Sequence, residues 1–583
     1  MRYLCEGVNM NFLEEIEKYY SFNPIKLEFV KNEEFNKIEN NFLYYTKNCY
    51  ALKLLAEYNF LQKDYKFNNK VNEIGMMLDC SRGRVYNVEY IKDLIRKNAL
   101  SGYSYLMLYL EDLITIDIPN FGIMRGRYSD QEIREIVEYA KIFDMDVIPC
   151  IQTLGHMEQF LKYSSASKYK DTKNVLLAES EDTKMLLTVI IKKCQELFNI
   201  DRINVGLDET NDLGFGNYIA KNGYKNQSDI FLEHLNLVNE ICIENGFNKV
   251  NVWSDMFFSI FSNPGIEALY DTSNLDIEYV KNLIPDNVSI VFWDYWSMNT
   301  DYYNGLYKVH QQLDETFKIA LGLHCWGTPV YVSQNIKATK DALFHINDFN
   351  VDDILYTVWN DDNSFVNFET VYLGMYRSVN LIHNITDNKE VFNFIYKEDY
   401  VSQEIQSSLT QQPLSLAAIL WDDPILQLYF KSLLSKENYD LDTIKNHIMK
   451  LKIRVDAINN IHYKTSCVQI TKAISNLLYE KALFNLKIIQ DKPDKSDIEK
   501  INKIIQLIKE YETIFLKDWK EKSKYHGIER LQHRFAGQIR RYEEIVIRIN
   551  NDEPFDELYE FFETETTLAT SFEILSFSNV IRW

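Results

Sequence analysis

The chain has 583 residues, more than one ordinary domain holds, so two or three domains are expected. Its formal net charge of −22, from 63 Lys and Arg against 85 Asp and Glu, argues against a general nucleic-acid binder, because phosphate binding needs surplus cations. Hydrophobic residues at 46% and charged residues at 25% are the proportions of a globular protein, and no run of about 18 apolar residues marks a membrane span.

The N-terminal stretch MRYLCEGVNMNFLEEIEKYYSF is interrupted by Glu6, Glu14, Glu15 and Glu17 and has no apolar signal core, so a cytoplasmic location is expected. Cysteines at 5, 49, 80, 150, 194, 242, 325 and 467 form no CxxC pair, which suits buried free thiols better than a zinc knuckle or a disulfide scaffold. Aromatic residues reach 14%; they pave many sugar sites, but codon bias toward Tyr, Phe, Ile, Asn and Lys explains the same excess.

Residues 1–70 mix helical and strand signals and carry no chemical motif, reading as a small α/β region. Short apolar runs then recur: IGMMLDC (74–80), YSYLMLYL (103–110), DVIPCI (146–151), INVGLDE (203–209), KVNVWSD (249–255), SIVFWD (289–294), KIALGLH (318–324) and ILYTVW (354–359). Amphipathic stretches separate them. In SDQEIREIVEYAKIFD (129–144), Ile133, Ile136, Val137 and Ala140 repeat at helical spacing, and Ser129 with Glu132 reads as a capping box. Continuous apolar strands alternating with helices mean a parallel sheet covered on its faces. About eight such units over residues 71–390 predict an α/β protein with a (β/α)8 TIM barrel; the rival open sheet lacks a GxGxxG after its first strand.

From 391 to 583 the strand signal fades and an α-helical domain is expected. Ile501, Ile504, Ile505, Ile508, Tyr511 and Phe515 form one apolar stripe, DKPDKSD (491–497) reads as a break between helices, and an acidic tail follows residue 550. This region suggests a structural or dimerisation role.

A barrel places its reactive groups at the C-terminal ends of its strands. Those ends carry Asp79 and Arg82; Glu111 and Asp112; Gln152 and His156; Asp208 and Glu209; Trp253 and Asp255; Trp293, Asp294 and Tyr295; His324 and Trp326; and Trp359, Asp361 and Asp362. Tryptophan faces, carboxylates and an arginine suit a carbohydrate, whereas a phosphate site would want glycine-rich loops and lysine. Asp208–Glu209 is the sharpest feature. On a regular strand the two would point to opposite faces, but past a strand end both can face the mouth. There their mutual repulsion would keep one protonated beside one ionised, the pairing that a general acid and a charge stabiliser need. A lone Asp-Glu pair is commonly only solvated. His156 could be a metal ligand, a proton-relay partner or a structural histidine, with Glu158 its only nearby potential co-ligand in sequence. Arg82 could simply pair with Asp79, and any single tryptophan could be ordinary core.

Together these residues resemble glycoside hydrolase family 20, the β-N-acetylhexosaminidases, in an intracellular bacterial form with a helical C-terminal domain. DCSRGR is similar to the family's first-strand motif, VIPCIQTLGH to its third-strand Gly-His motif, VGLDET to its Asp-Glu signature, VWSDM to its Trp-x-Asp-Met motif, and VWNDD to its final-strand Trp with an acid two positions on. The resemblance implies an exo-acting enzyme that removes terminal β-linked N-acetylglucosamine or N-acetylgalactosamine with retention, the substrate's own acetamido oxygen serving as nucleophile. It implies that Asp208 orients the acetamido group and that Glu209 is the acid and base. Arg82, His156 and Asp361 would then hold the sugar, Trp253, Trp326 and Trp359 would wall it, and Asp294 or Tyr295 would hydrogen-bond the acetamido group. Two departures stand out: the sixth-strand order is Trp293-Asp294-Tyr295 where Tyr-x-Asp is common, and the final acid is Asp361 rather than Glu.

Three rival readings are a glycosidase with a protein carboxylate as nucleophile, a non-catalytic sugar-binding barrel, and a metal-dependent hydrolase using His156 and Asp208. No cofactor or metal is expected. The expected partner is a small oligosaccharide or glycoconjugate, without nucleic acid or membrane, and a homodimer is possible.

Overall fold

The computed structural model describes residues 10–23, 27–67, 71–262, 269–361, 365–436 and 439–555. Asp362, Cys5 and the acidic tail beyond residue 555 lie outside the described residues. Near the N-terminus, β1 (Glu28–Lys31), β2 (Lys37–Glu39), β3 (Phe42–Tyr45) and β4 (Tyr65–Lys66) form a sheet in the order β1-β3-β2-β4, in which only the β1–β3 pair is parallel.

The eight apolar runs become β5 (Glu73–Asp79), β6 (Tyr105–Tyr109), β7 (Asp146–Cys150), β8 (Arg202–Asn204), β9 (Lys249–Trp253), β10 (Val288–Asp294), β11 (Lys318–Gly322) and β12 (Asp353–Val358). They pair in parallel, in chain order, and β12 closes on β5. The expected (β/α)8 barrel is therefore the fold. Alternation sorts its side chains: on β10, Val291 and Trp293 enter the barrel interior, while Ile290 and Phe292 join the outer core against the helices. Gly75 is required by this packing, because a Cβ there would lie 1.9 Å from the Tyr105 ring that fills the barrel floor.

The helix predicted around residues 129–144 runs Asp130–Lys141, with Ser129 and Glu132 forming the capping box. Four long helices, Leu441–Asn459, Ser466–Gln490, Ile498–Lys522 and Ile528–Asn551, follow the barrel, and the stripe from Ile501 to Phe515 is buried in their shared core. The DKPDKSD segment separates the second of them from the third, with Asp494 capping the turn.

These helices dock on the mouth end of the barrel. Two residues beyond Arg82, Arg84 is wholly buried, 3.1 Å from Asp518, and donates to Ser523 at 2.9 Å. The backbones of Val85 and Lys524 hydrogen-bond at 2.7 Å, those of Asn87 and Lys522 at 2.9 Å. Among the described residues no helix is long and apolar enough to cross a membrane.

Candidate active site

β8 ends at Asn204, five residues before the end of the run INVGLDE, and the chain then turns. Gly206, Leu207 and Glu209 take φ of 75°, 71° and 51°, a left-handed region that side chains other than glycine occupy at a cost. At Gly206 a Cβ would lie 2.2 Å from the Gln152 side chain, so only glycine fits. This turn frees Asp208 and Glu209 from strand alternation, and both side chains line one cavity of about 1140 Å³ at the C-terminal end of the barrel.

The two acids differ in environment. The Asp208 side chain is only 10% exposed; its Oδ1 accepts from Gln152 at 2.8 Å and its Oδ2 lies 3.2 Å from His156 Nε2. Burial pushes its pKa up, but His156, Gln152 and Arg82 outweigh burial and hold it below the usual 3.8. The Glu209 side chain is 48% exposed, with Oε2 3.5 Å from His156 Nε2. Desolvation at the cavity wall and the neighbouring Asp208 charge raise Glu209 above 4.5 despite His156. One carboxylate is thus held ionised and its neighbour held toward the protonated form.

Two groups, buried Asp255 and partly buried His156, flank that turn. Asp255 accepts from the Glu209 backbone N–H at 2.9 Å through Oδ2 and from Trp293 Nε1 at 3.1 Å through Oδ1. Burial, then the Asp208 charge, pushes Asp255 up to about 7. His156 itself has φ of 52°; burial lowers its pKa, but Asp208 more than compensates and raises it to about 9.

Arg82 does not simply pair with Asp79. Its Nη1 lies 3.0 Å from Asp361 and 3.7 Å from Asp79, its Nε 3.6 Å from Glu111, and its guanidinium covers the Trp359 ring at 4.9 Å. Asp79 is fully buried and serves the backbone instead, accepting from Ser81 N–H at 2.8 Å and from Asn360 N–H at 2.9 Å. It thereby ties the ends of β5 and β12 together. Glu111 is buried, and burial pushes it up to about 7 against the pull of Arg82 and Arg125.

Trp253, Trp293, Trp326 and Trp359 all line the cavity, and Tyr295 stands among them. Trp359 Nε1 donates to the Tyr295 hydroxyl at 3.0 Å, Tyr295 meets Trp326 edge-on at 5.3 Å, and Trp253 lies 6.3 Å from Trp359. Asp294 is a correction to the sequence reading, for it does not line the cavity. On β10 it has the opposite parity to Trp293 and Tyr295, and its carboxylate is occupied by the Trp296 and Ser297 N–H groups and the Tyr302 and Tyr303 hydroxyls at 2.9–3.2 Å. Of the two candidates, only Tyr295 reaches the cavity. Every other expected site residue, namely Arg82, His156, Asp208, Glu209, Trp253, Trp326, Trp359 and Asp361, lines it. Among the described residues no group of three or more His, Cys, Asp or Glu side chains is arranged to hold a metal ion.

Glu111, Gln152 and Asp255 stand among the strand-end residues of the sequence, which assigns them no role. Each lies two positions beyond an inward-facing side chain, Tyr109, Cys150 or Trp253, so alternation alone carries it to the mouth. Thr410, Gln412, Leu414, Arg530 and Arg534 also line the cavity, and they come from the C-terminal region.

The model of the glycosyl hydrolase family 20 catalytic domain matches residues 118–313, which include the Asp208–Glu209 turn. Residues 118–313 of the barrel are thus similar to the glycosyl hydrolase family 20 catalytic domain. Hexosaminidase D of Bos taurus is 29% identical over 141 residues, covering 23% of this chain and 40% of that protein. The Homo sapiens hexosaminidase D is 28% identical over 141 residues, 23% of this chain and 29% of that protein. The matched stretch thus spans less than half the length of either relative. Among solved structures, the family 20 exo-β-N-acetylglucosaminidase from Vibrio harveyi, in complex with N-acetylglucosamine, aligns with a TM-score of 0.48 at 15% identity over 66% of this chain and 70% of that one.

Proposed function

We propose that this barrel is a family 20 glycoside hydrolase, an exo-acting β-N-acetylhexosaminidase working through the substrate's acetamido group. The observation that carries this reading is the opposed state of Asp208 and Glu209 on one turn: the first buried and held ionised, the second at the open side and held toward its protonated form. In the proposed first step the acetamido carbonyl oxygen bonds to the anomeric carbon as the glycosidic C–O bond breaks. The Glu209 carboxyl proton passes to the leaving oxygen, and Asp208 accepts the acetamido N–H and balances the charge of the oxazolinium ion. In the second step Glu209, now a carboxylate, takes a proton from water as the water oxygen bonds to the same carbon and the oxazolinium ring opens, so configuration is retained. Arg82 with Asp361 offers donor and acceptor to sugar hydroxyls, and the tryptophans around Tyr295 offer flat apolar faces to the pyranose and the acetamido methyl.

The test is nitrophenol release from the β-anomers of N-acetylglucosaminide, N-acetylgalactosaminide, glucosaminide and glucoside, run side by side. Turnover confined to the N-acetylated sugars is expected. Comparable turnover of the glucosaminide or glucoside would overturn the acetamido role.

A further inference from the structure

One sector of the cavity is cationic in a chain whose net charge is −22. It is built by the loop following β7 and by the helix Ile528–Asn551, which set Lys162, Lys170, Lys173, Arg530 and Arg534 on the same cavity as Glu209. Arg530 and Arg534 sit one helical turn apart and so share a face. Arg125 adjoins them but is neutralised by Glu111 at 3.2 Å and Asp112 at 3.0 Å. The outward-facing Lys168 on the same loop has its own carboxylate, Asp182, at 2.6 Å. By contrast, among the described residues no carboxylate lies within ion-pair distance of Lys162, Lys170 or Lys173; Lys162 donates to the Gln159 amide oxygen at 3.2 Å and lies over the Tyr163 ring at 5.3 Å. Glu158 is the remaining acid on this wall. Burial first, then mutual repulsion with Arg125, holds both Lys162 and Arg530 below their usual pKa values.

We infer that this sector is a leaving-group subsite for an aglycone carrying a carboxylate, phosphate or sulfate. The inference rests on the hexosaminidase reading and deepens it. Lysines without a carboxylate partner, set beside arginines on one cavity, raise the local concentration of an anionic substrate and offer it charge-assisted hydrogen bonds. One barrel loop and the C-terminal helix supply the charges jointly, so the docking of the helical region makes part of the substrate site. Because the acid Glu209 and the cations share one cavity, the bond being cleaved and the anion would belong to one ligand.

The experiment compares kcat/KM for three disaccharides in which N-acetylglucosamine is β-linked to glucose, glucuronic acid or glucose 6-phosphate, at 20 mM and 500 mM sodium chloride. At low salt at least one anionic substrate should exceed the neutral one by about tenfold, and which one wins identifies the anion. High salt should shrink that ratio to about threefold or less. The double variant Lys162→Gln/Lys173→Gln, at two exposed positions, should cut the low-salt ratio at least fivefold. Turnover of the neutral disaccharide with a wild-type ratio at or below one, or a ratio untouched in the variant, would overturn this inference and leave the hexosaminidase reading standing. No turnover of these substrates or of the nitrophenyl N-acetylglucosaminide would overturn that reading, and this inference with it.

Discussion

The two ends of the barrel use the same residue types to opposite effect. At the floor, Arg202 lies 2.7 Å from Glu73 and 3.3 Å from Asp353, Lys47 pairs with Glu73 at 2.8 Å, and the Tyr105 hydroxyl donates to Asp353 at 2.7 Å. At the mouth, Arg82 has carboxylates at 3.0, 3.6 and 3.7 Å and stays partly exposed, while the acids around it are pulled apart in pKa. The floor cancels its charges and closes the cylinder. The mouth leaves charge uncancelled where a ligand can reach it, as expected of the C-terminal face of such a barrel. The difference lies in partner geometry, not in composition.

The largest effect that would break this comparison is catalytic. Glu209→Gln should lower kcat on di-N-acetylchitobiose, whose leaving oxygen needs a proton, by about 10³-fold, or about 4 kcal/mol of barrier, with little change in melting temperature. The loss on a nitrophenyl glycoside should be smaller, because that oxygen leaves without help. Equal losses on both substrates would argue against Glu209 as the acid.

Next comes the floor. Arg202→Ala leaves Glu73 and Asp353 buried without their guanidinium and should cost about 3 kcal/mol of stability by denaturant titration. The folded fraction should keep its kcat, since the floor takes no part in the chemistry. A fall in kcat with stability unchanged would mean that the two ends are not separate.

The smallest and most discriminating effect is pH dependence, because Glu73 at the floor and Asp255 at the mouth are shifted in opposite senses. Burial raises Glu73, but Arg202 and Lys47 more than offset it and bring it down to about 2. Its contribution is therefore complete above its unfolded value near 4.5 and lost as pH falls toward 2. Asp255, at about 7, stays protonated in the fold after the unfolded chain has ionised near 3.8, so its contribution is lost as pH rises from about 4 to 7. Glu73→Gln should remove the acid-side loss from the melting profile, and Asp255→Asn should flatten the slope between pH 4 and 7. In kcat/KM the acid limb belongs to Asp208, which must be ionised, and the alkaline limb to Glu209, which must be protonated.

Most of the barrel was legible because parallel strands covered on both faces read as continuous apolar runs, and all eight did. The cavity lining was legible where a residue stood immediately at a strand end, as with Trp253 and Trp359. It failed at Asp294, where a plausible side chain was preferred to the parity that turns it outward. Asp255 and Gln152 were placed at strand ends without a role, because their importance lies in holding the Glu209 backbone and the Asp208 carboxylate. Arg530 and Arg534 had no local signal at all. Their helix reads as an ordinary amphipathic element, and only its docking through Arg84, Asp518 and Lys524 carries them to the cavity.

The central claim, that Asp208 and Glu209 serve a nucleophile belonging to the substrate, is tested most directly with nitrophenyl β-glucosaminides bearing N-acetyl, N-fluoroacetyl, N-difluoroacetyl and N-trifluoroacetyl groups. Fluorine drains the carbonyl oxygen of nucleophilicity while barely changing its size. The account predicts that kcat/KM falls steadily along the series, by about 10²-fold or more in all. A flat series would contradict it, for then the oxygen that attacks the anomeric carbon would not be the sugar's own.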